Sequence, residues 1–558
     1  MTTSSRSVLV IGGSYAGLHA AELLAQQLPS HWSVTLVERN THFNHVYSFP
    51  RSAVAGQAHR NFIPYTGKLN KLNNQAQSDS SLSGAHPKIR LINASVTKIV
   101  DRKVFLDRMV DLQQPLAHPL SSPAHEPIHA LSSSVLADSP AGSVVTDSGY
   151  ASSVTTKSPT KGKHQLASAQ SIEQIGNPPA DRAPQQTFQV GWDFLVYALG
   201  SHMPPPLHLP INQHRSKLNG VAFLEAQRAA IAAAEKIVIV GGGALGIQYA
   251  CDIAHRYQLL GQPKHVTLIH SRPAFLPTFK PEIGQKVKQA LADFGVHVVL
   301  GERVNLAKLH ADLEIQKKLG GSGKVVVESV SNENKHWEAD LVLTCTGQVP
   351  NTSLMSQFCP LAVLGGTGSS GLIRVTRGLQ ISPSRLGPSP VETPTGERSV
   401  CECGLASLQI SSRPVVPKEN PVWKRVFAIG DCVDGFGAIK AGHVGWNQAE
   451  VAARNILASV AFLERNASTP GLHEAVDLDQ VEFEQYVPSP PMIKLTLGLH
   501  RVVTQLRSAE DPDELVVAEK TVVPDPESND PGQTSSAWRD MWGRYDLVDE
   551  DQIRDGWA

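Results

Sequence analysis

The sequence predicts an α/β fold in which two parallel sheets are covered by helices on both faces and a smaller α+β domain follows at the C-terminus. Strand-like apolar runs alternate with helix-like stretches through most of the chain, which is the pattern of parallel sheets. Two of these runs lead through a glycine-rich turn into a helix. The 558 residues are enough for about three domains at roughly 150 residues each.

The first glycine-rich turn lies in a β-α-β pattern near the start of the chain. A strand at Ser7–Ile11 is followed by a helix from Ala16 to about Leu28 and by a second strand at Ser33–Glu38. In such a unit the turn lets a phosphate approach backbone N–H groups at the positive end of the helix. We therefore expect a nucleotide to bind at this end of the sheet.

This turn is close to a dinucleotide fingerprint. Gly12, Ser14 and Gly17 occupy the three glycine positions, and the serine is a mild departure because it is small. Glu38 ends the next strand, where a carboxylate can accept hydrogen bonds from a pair of ribose hydroxyls. These features predict a Rossmann-like dinucleotide-binding domain. Its candidate ligands are Gly12, Gly13, Ser14, Tyr15, Ala16, Gly17, Glu38 and Arg39.

A second, complete fingerprint begins another unit. Its glycines are Gly241, Gly243 and Gly246, again between an apolar strand and a helix. The following strand ends in His270, with Arg272 two residues on, and it has no carboxylate that would repel a 2′-phosphate. The second unit is therefore expected to accept NADH or NADPH. The alternative for Arg272 is a solvated strand end.

Composition divides the rest of the chain. Residues 107–187 are rich in Ser, Thr and Pro without a sustained apolar period, which is typical of a disordered insertion, and 382–421 form a second loop of low complexity. The predicted order is the first dinucleotide domain at 7–106, the insertion at 107–187, a second part of that domain at 188–220, the second dinucleotide domain at 221–347, a third part of the first domain at 348–460 with the loop 382–421, and a C-terminal domain at 465–558.

A third motif closes the first domain. An apolar strand ends in Gly430 and Asp431 and is followed by a turn and a long helix from about Ala441. Asp431 can bind a ribityl hydroxyl of FAD while the helix N-terminus faces the flavin pyrimidine carbonyl. Gly200 and Gly347 end two further strands, where the chain is expected to cross between domains near the cofactors. Two dinucleotide sites in one chain indicate hydride transfer from a nicotinamide to a flavin.

Composition also argues against several functions. The net charge of −1 does not favour a nucleic acid partner. No apolar run approaches the roughly 20 residues of a membrane span, and the first strand begins too early for a secretory leader, so we expect a cytoplasmic protein. No cysteine precedes Cys251 and the histidines form no cluster with ligand-like spacing, so neither a redox dithiol nor a metal is expected.

Together these motifs resemble the two-dinucleotide-binding flavoproteins of the pyridine nucleotide-disulfide oxidoreductase superfamily. The resemblance is strongest to its apoptosis-inducing-factor-like and ferroptosis-suppressor-like branch, in particular its fungal relatives, which has no redox disulfide. It covers nearly all of the chain outside the insertions. The segments that point to this branch are Ile269–Ser271, Val426–Cys432 and Met492–His500. The resemblance implies FAD at the first turn, further FAD contacts by Arg51, by the backbone of Val96 and by Asp431, and a lysine near the flavin at Lys440.

Two features depart from that family. Many relatives carry a glutamate near the nicotinamide and flavin on the helix after the second turn, where this chain has Gln248. Glutamine can hydrogen bond an amide but cannot move a proton. Met1 is followed by Thr2 rather than glycine, so N-myristoylation is not expected. The candidate catalytic residues are Gln248 and Lys440, and the lysine would stabilise negative charge on the reduced flavin.

The expected function is that of an FAD-dependent NAD(P)H oxidoreductase. It would pass a hydride to flavin N5 and then electrons to an external acceptor, which the resemblance indicates is a quinone held by the C-terminal domain. The alternative is an NAD(P)H-binding redox-sensing or signalling flavoprotein with slow turnover, which Gln248 leaves open. Met492–Val503 permits peripheral contact with an organelle or lipid-droplet surface, against the alternative of an ordinary interface strand.

Overall fold

The computed structural model describes most of the chain. The described residues are 6–78, 88–111, 186–203, 206–209, 215–318, 323–332, 335–365, 371–383, 420–466, 477–511, 513–522 and 542–544. One predicted boundary is corrected, because strands reach Asp111 on one side of the first insertion and begin at Gln186 on the other, inside the predicted range 107–187. Residues 112–185 and most of the loop 382–421 lie outside the described residues, so their disorder stays a prediction.

The helices and strands follow one another in three stretches. The first holds β1 (Arg6–Ile11), α1 (Tyr15–Gln27), β2 (Trp32–Glu38), β3 (His42–Asn44), α2 (Phe49–Ala55), β4 (Phe62–Pro64), α3 (Thr66–Ser78), β5 (Ile89–Asn93), β6 (Val96–Val100) and β7 (Lys103–Asp111). The second holds β8 (Gln186–Gly191), β9 (Phe194–Tyr197), β10 (Ser201–His202), α4 (Lys217–Ala233), β11 (Lys236–Val240), α5 (Ala244–Leu259), β12 (His265–His270), α6 (Pro281–Asp293), β13 (His297–Leu300), α7 (Leu306–Lys318), β14 (Val325–Glu328), β15 (His336–Ala339) and β16 (Leu341–Thr344). The third holds β17 (Val349–Pro350), α8 (Ser353–Phe358), β18 (Val426–Ala428), α9 (Gly442–Asn466), β19 (Ile493–Thr496), β20 (Arg501–Arg507) and β21 (Leu515–Thr521).

The first sheet has the order β18-β9-β1-β2-β5, and all its strands run parallel. At its centre, Ile11 of β1 is level with Val37 of β2 and with Tyr197 of β9. The side chains of residues 8–11 have no exposed surface, as expected for a strand covered on both faces. Three separate stretches of sequence thus build one sheet, and the glycine turn after β1 lies at its carboxyl edge.

The second sheet, β13-β12-β11-β16, is also parallel. Val240 of β11 is level with Ile269 of β12 and with Thr344 of β16. The short antiparallel pair β10 and β17 lies where the chain leaves and re-enters the first domain. The predicted α/β class with parallel sheets is confirmed.

One hydrophobic core joins α2 to the second dinucleotide domain. Phe49, Ala53 and Val54 of α2 are buried in the same cluster as α5, and α2 packs against α4 and α5. Leu495 and Val503 of the C-terminal antiparallel sheet β19-β20-β21 belong to this cluster too. Helix α2 therefore packs with the second domain although it lies in the first stretch of sequence.

The C-terminal segment Met492–Val503 has its apolar side chains turned inward. Leu495, Leu497, Leu499 and Val503 are each at most 3% exposed. The structure therefore favours the interface strand over direct membrane contact by this segment. Among the described helices, none combines the length and the apolar character that a membrane crossing needs.

Candidate active site

The first glycine turn has the shape that a dinucleotide requires. Gly12 has a φ of +97°, and a Cβ there would overlap the carbonyl oxygen of Ala198 on the neighbouring strand segment. A Cβ at Gly17 would overlap the carbonyl oxygen of Gly12, which holds the helix close to the turn. Ser14 is the extended N-cap of α1, with φ −81° and ψ −161°. The middle position therefore accepts a serine without backbone strain.

Glu38 is fixed beside this turn. Its Oε2 accepts from the backbone N–H of Gly13 at 2.5 Å, and its Oε1 accepts from that of Asn40 at 2.8 Å. The residue is 7% exposed, and the Tyr65 hydroxyl donates to the carbonyl oxygen of Gly13 at 2.9 Å. The carboxylate is therefore held at the end of β2, in the position where a ribose diol would meet it.

The second turn repeats this geometry. Gly241 has a φ of +112°, and its Cβ would overlap the carbonyl oxygen of Cys345 on the strand segment next to β11. A Cβ at Gly246 would in turn overlap the carbonyl oxygen of Gly241. Gly243 is the N-cap of α5, and a Cβ there would face open space. The two turns are therefore equivalent in backbone shape.

His270 takes the place in the second domain that Glu38 has in the first. Its Nδ1 accepts from the backbone N–H of Gly242 at 3.1 Å, and its ring stacks on Phe275 with centroids 5.7 Å apart. Burial, together with Arg272, lowers the pKa of His270, so the ring is neutral at neutral pH. Arg272 is exposed. A neutral acceptor and a nearby cation thus replace the carboxylate of the first site.

The closing turn brings Asp431 and Lys440 together. Lys440 Nζ donates to the carbonyl oxygens of Asp431 and Val433, at 2.6 and 3.1 Å. Burial raises the pKa of Asp431, whereas Lys440 and a hydrogen bond with Gln348 lower it. Desolvation lowers the pKa of Lys440. Gly430, with φ +83°, donates to Gln448 Oε1 of α9 at 2.7 Å and so joins the turn to that helix.

The two crossover glycines meet at this turn. Gly200 and Gly347 have φ values of +59° and +104°, and a Cβ on either would meet open space. Asn351 donates its backbone N–H to the carbonyl oxygen of Gly200 at 2.9 Å, and Ser201 Oγ donates to the carbonyl oxygen of Asp431 at 3.4 Å. Gly200 therefore lies next to the closing turn, and Gln348, the neighbour of Gly347, hydrogen bonds the Asp431 carboxylate there.

The predicted ligand Tyr15 lies at the N-terminus of α9 together with two aromatic side chains that the motifs did not reveal, His45 and Tyr47. The Tyr15 hydroxyl is 2.8 Å from His45 Nδ1, and the Tyr47 hydroxyl accepts from the backbone N–H of Gly442 at 2.7 Å. Burial lowers the pKa of His45 to about 4, whereas Tyr47 is 51% exposed. His45 and Tyr47 follow β3, at and inside a single 3₁₀ turn at Val46–Ser48 that carries no fingerprint, so only the cluster of aromatic residues there could have indicated them.

Three further candidates lie outside the two glycine turns. The guanidinium of Arg51 is engaged by Asp252 of α5, and Val96 begins β6 beside a β-bulge. Gln248 is half-buried on α5, one helical turn before Asp252. The contacts of Arg51, Val96 and Gln248 with cofactors stay predictions.

The residues present fit two dinucleotides. Helices α1 and α5 are described throughout, and neither has an acidic residue in its first turn. The side chain of the N-cap Ser14 bonds no backbone N–H of α1, and the N-cap Gly243 has no side chain that could do so in α5. Both N-termini therefore keep backbone donors for a phosphate. The sequence of residues 6–382 matches the family described as "Pyridine nucleotide-disulphide oxidoreductase". The chain belongs to this family.

Members of the pyridine nucleotide-disulphide oxidoreductase family that resemble the chain include fungal and animal proteins. Fe-regulated protein 8 of Mycosarcoma maydis is 31% identical over 516 residues, which are 91% of each chain. Ferroptosis suppressor protein 1 of Homo sapiens is 28% identical over 279 residues, 50% of this chain and 59% of that protein. The apoptosis-inducing factor homolog B of Dictyostelium discoideum is 23% identical over 328 residues, 57% and 67% of the two chains. The predicted branch of the family is confirmed.

A solved structure shares the fold of this family member. The sulfide:quinone oxidoreductase of Aquifex aeolicus has a TM-score of 0.51 at 12% identity, over 99% of this chain and 92% of that one. With the family established, FAD and NAD(P)H are the cofactors of the chain, and it is an NAD(P)H-dependent flavoprotein oxidoreductase. The two cofactors expected from the sequence are confirmed.

The described cysteines of this oxidoreductase are all free and buried: Cys251, Cys345, Cys359 and Cys432. Burial raises the pKa of each thiol, that of Cys359 to about 11 and that of Cys432 to about 12. A thiol reacts as its thiolate, so these four protonated cysteine thiols are unreactive at neutral pH. Cys401 and Cys403 lie outside the described residues.

Proposed function

We propose that the chain is an NAD(P)H:quinone oxidoreductase, in which electrons pass from NAD(P)H through FAD to a quinone outside the chain. The observation that carries this proposal is the pair of equivalent glycine turns, one beside a carboxylate and one beside a neutral histidine. They provide two different dinucleotide sites on adjoining sheets. FAD, when bound, supplies a two-electron acceptor at N5 and can release the electrons to a second substrate.

The residues of the first site would hold FAD by three kinds of contact. The backbone N–H groups of the turn and the N-terminus of α1 meet its phosphates, and Glu38 accepts hydrogen bonds from its ribose. Asp431 lies at the closing turn, where a ribityl hydroxyl can reach it. Lys440, tied to the carbonyl oxygens of that turn, places a positive charge where negative charge develops in the reaction.

The second site is proposed to accept NADPH as well as NADH. His270 is neutral and Arg272 is exposed beside it. One carboxylate, Glu302, lies nearby, because its backbone N–H donates to the carbonyl oxygen of His270 at 3.0 Å. The Glu302 carboxylate accepts hydrogen bonds from Lys335 Nζ at 2.7 Å and from the Ser331 hydroxyl at 2.6 Å. That negative charge is thereby offset, which supports tolerance of a 2′-phosphate.

A quinone acceptor is supported by the state of the thiols. The four cysteines in the described part of the chain are buried and protonated, so none of them offers a path for electrons through a disulfide.

A redox-sensing flavoprotein with slow turnover is the second candidate, and Gln248 is the observation that favours it. One experiment distinguishes these two candidate functions. The purified protein is titrated anaerobically with NADH and with NADPH, and a short-chain quinone is then added. The proposal expects the oxidised flavin band to bleach and then to return promptly with quinone. A reduced flavin that persists in the presence of quinone would favour the sensor, and a chain that binds no flavin would refute both.

A further inference from the structure

A buried ion pair joins three parts of the chain. Arg51 of α2 donates from Nε and Nη2 to the two carboxylate oxygens of Asp252 on α5, at 2.8 and 3.1 Å. Its Nη2 and Nη1 also donate to the carbonyl oxygens of Gly498 and Leu499, at 2.8 and 3.1 Å. The side chain of Asp252 is 0% exposed. One guanidinium on α2 therefore contacts both the helix of the second glycine turn and the C-terminal segment.

The surroundings of the pair are also closely fitted. Gly498 has a φ of +70°, and a Cβ there would meet His255 Nδ1 at 2.7 Å and the ring of Phe294 at 2.8 Å. His255 Nδ1 accepts from the backbone N–H of Leu499 at 3.1 Å, and its ring stacks on Phe294 with centroids 4.5 Å apart. The junction therefore leaves little room for the three parts to shift against one another.

The position of Asp252 on α5 links this junction to the donor site. Asp252 lies four residues after Gln248, so the two side chains share one face of the helix. The same helix has its N-cap at Gly243, inside the second glycine turn. Helix α2 begins two residues after Tyr47, whose hydroxyl accepts from the backbone N–H of Gly442 at the N-terminus of α9 in the first domain. A displacement of Asp252 relative to α2 therefore moves the second glycine turn and Gln248 relative to that part of the first domain.

All three nitrogen atoms of the Arg51 guanidinium are used in these contacts. A buried carboxylate that loses its arginine is left as an unpaired charge, which is strongly unfavourable. The pair is therefore a poor candidate for rearrangement when a cofactor binds. This geometry differs from the role that the family resemblance implies for Arg51, which is direct contact with FAD.

We propose that Arg51 and Asp252 are positioning residues for hydride transfer, which fix α5 and its glycine turn at one distance from the flavin, and that Arg51 is not a flavin ligand. The hydride that leaves nicotinamide C4 carries the two electrons and the hydrogen that flavin N5 gains. The proposal rests on reduction of the flavin by NAD(P)H and is independent of the acceptor. A displacement of about 1 Å between the reacting atoms can slow such a step about 100-fold.

The test compares Arg51→Gln, Asp252→Asn and the double variant as holoproteins. The limiting rate of anaerobic flavin reduction is measured by stopped-flow with saturating NADH and with saturating NADPH, and FAD affinity is measured by titration of the apoprotein. We expect each single variant to reduce its flavin about 10- to 100-fold more slowly with unchanged FAD affinity. We expect the double variant to be no slower than the slower single, because the two residues act as one unit.

Lys286→Gln is the matched control, because Lys286 also joins the second domain to the C-terminal sheet, by an exposed ion pair with Glu519 at 2.6 Å. It should keep the wild-type rate. Weakened FAD binding in Arg51→Gln alone would overturn the proposal in favour of a flavin ligand. Wild-type rates in both single variants, or losses that multiply in the double variant, would overturn it as well.

Arg51→Lys keeps the positive charge beside Asp252 but cannot make the two parallel hydrogen bonds to its carboxylate. This variant replaces the neutral variants in the experiment if they fail to fold. A slower reduction with FAD retained is expected for this variant too, and a wild-type rate would contradict the proposal. These experiments measure only the reduction of the flavin by NAD(P)H, which precedes any transfer of electrons to the acceptor. An error in the proposed acceptor therefore leaves these results unchanged.

Discussion

Replacing His270 by glutamate should turn the second site into one that prefers NADH. His270 Nδ1 accepts from Gly242 at 3.1 Å, and Glu38 Oε2 accepts from Gly13 at 2.5 Å in the equivalent place of the first domain. A glutamate at position 270 would therefore set its carboxylate at the end of β12, as Glu38 is set at the end of β2. The carboxylate would face the 2′ position of the donor ribose.

The size of the effect follows from the charges. A unit negative charge about 6 Å from another costs about 3 kcal/mol at an effective dielectric constant of about 20, which corresponds to about 100-fold. Arg272 is exposed and salt screens part of this interaction, so we expect kcat/KM for NADPH to fall about 30- to 100-fold. NADH lacks the 2′-phosphate and gains a charged acceptor for its ribose, so its kcat/KM should rise by about fivefold.

The assay measures kcat/KM for both donors with a short-chain quinone, at low and at high salt. His270→Gln is the control, because it offers a neutral acceptor to Gly242 and should leave the ratio of the two donors close to that of the wild type. The selectivity of the glutamate variant should decrease at high salt. An equal loss with NADH and NADPH, or the same change in the glutamine variant, would show that charge at this position does not select the donor.

Three further outcomes are expected. Gly17→Ala should lose FAD, because its Cβ would overlap the carbonyl oxygen of Gly12, and flavin absorbance of the purified protein measures this. The free energy of unfolding should decrease as the pH falls from 6.5 to about 4, because His45 binds a proton in that range only when unfolded, and urea titrations of His45→Gln should show a smaller decrease. Trp542→Ala should destabilise the protein by about 3–5 kcal/mol, because the indole is 1% exposed and donates to the Arg60 carbonyl oxygen at 2.9 Å, and thermal unfolding measures this.

Each of these outcomes has a control. Gly243→Ala adds a methyl group that meets open space, so it should keep its flavin, and an alanine at position 17 that also kept its flavin would contradict the steric argument. An unchanged pH dependence in His45→Gln would mean that other groups cause the acid sensitivity. Trp542→Phe retains most of the buried area and should cost only about 1 kcal/mol, the value of one hydrogen bond.

The glycine turns and the sheets could be predicted because their signals are local. The glycine pattern around Gly12 and Gly241 reports a backbone shape set by a few neighbouring residues, and Glu38 lies at a fixed distance from its turn. The apolar strands were visible as short runs. The extension of β7 to Asp111 was missed, because its polar residues gave no apolar run before the insertion.

The contacts between distant residues could not be predicted in this way. Arg51 and Asp252 are 201 residues apart, and the Arg51 contact with Leu499 spans 448 residues. A single sequence gives no sign of which buried carboxylate an arginine will meet. The same holds for Tyr47, whose hydroxyl meets the backbone of Gly442 after 395 residues.

The order of strands in the first sheet determines which of the two parallel sheets can be completed first while the chain is being translated. β1 is made first, but its sheet is complete only after Val426–Ala428 has been made, whereas the four strands of the second sheet all lie within residues 236–344. At roughly 5–20 residues per second, the ribosome needs about 10–50 s to pass from β9 to β18. During that interval the nascent chain can assemble its nicotinamide-binding sheet, while the flavin-binding sheet still has an open edge at β9. Chaperone contact and FAD loading are therefore both expected late in translation.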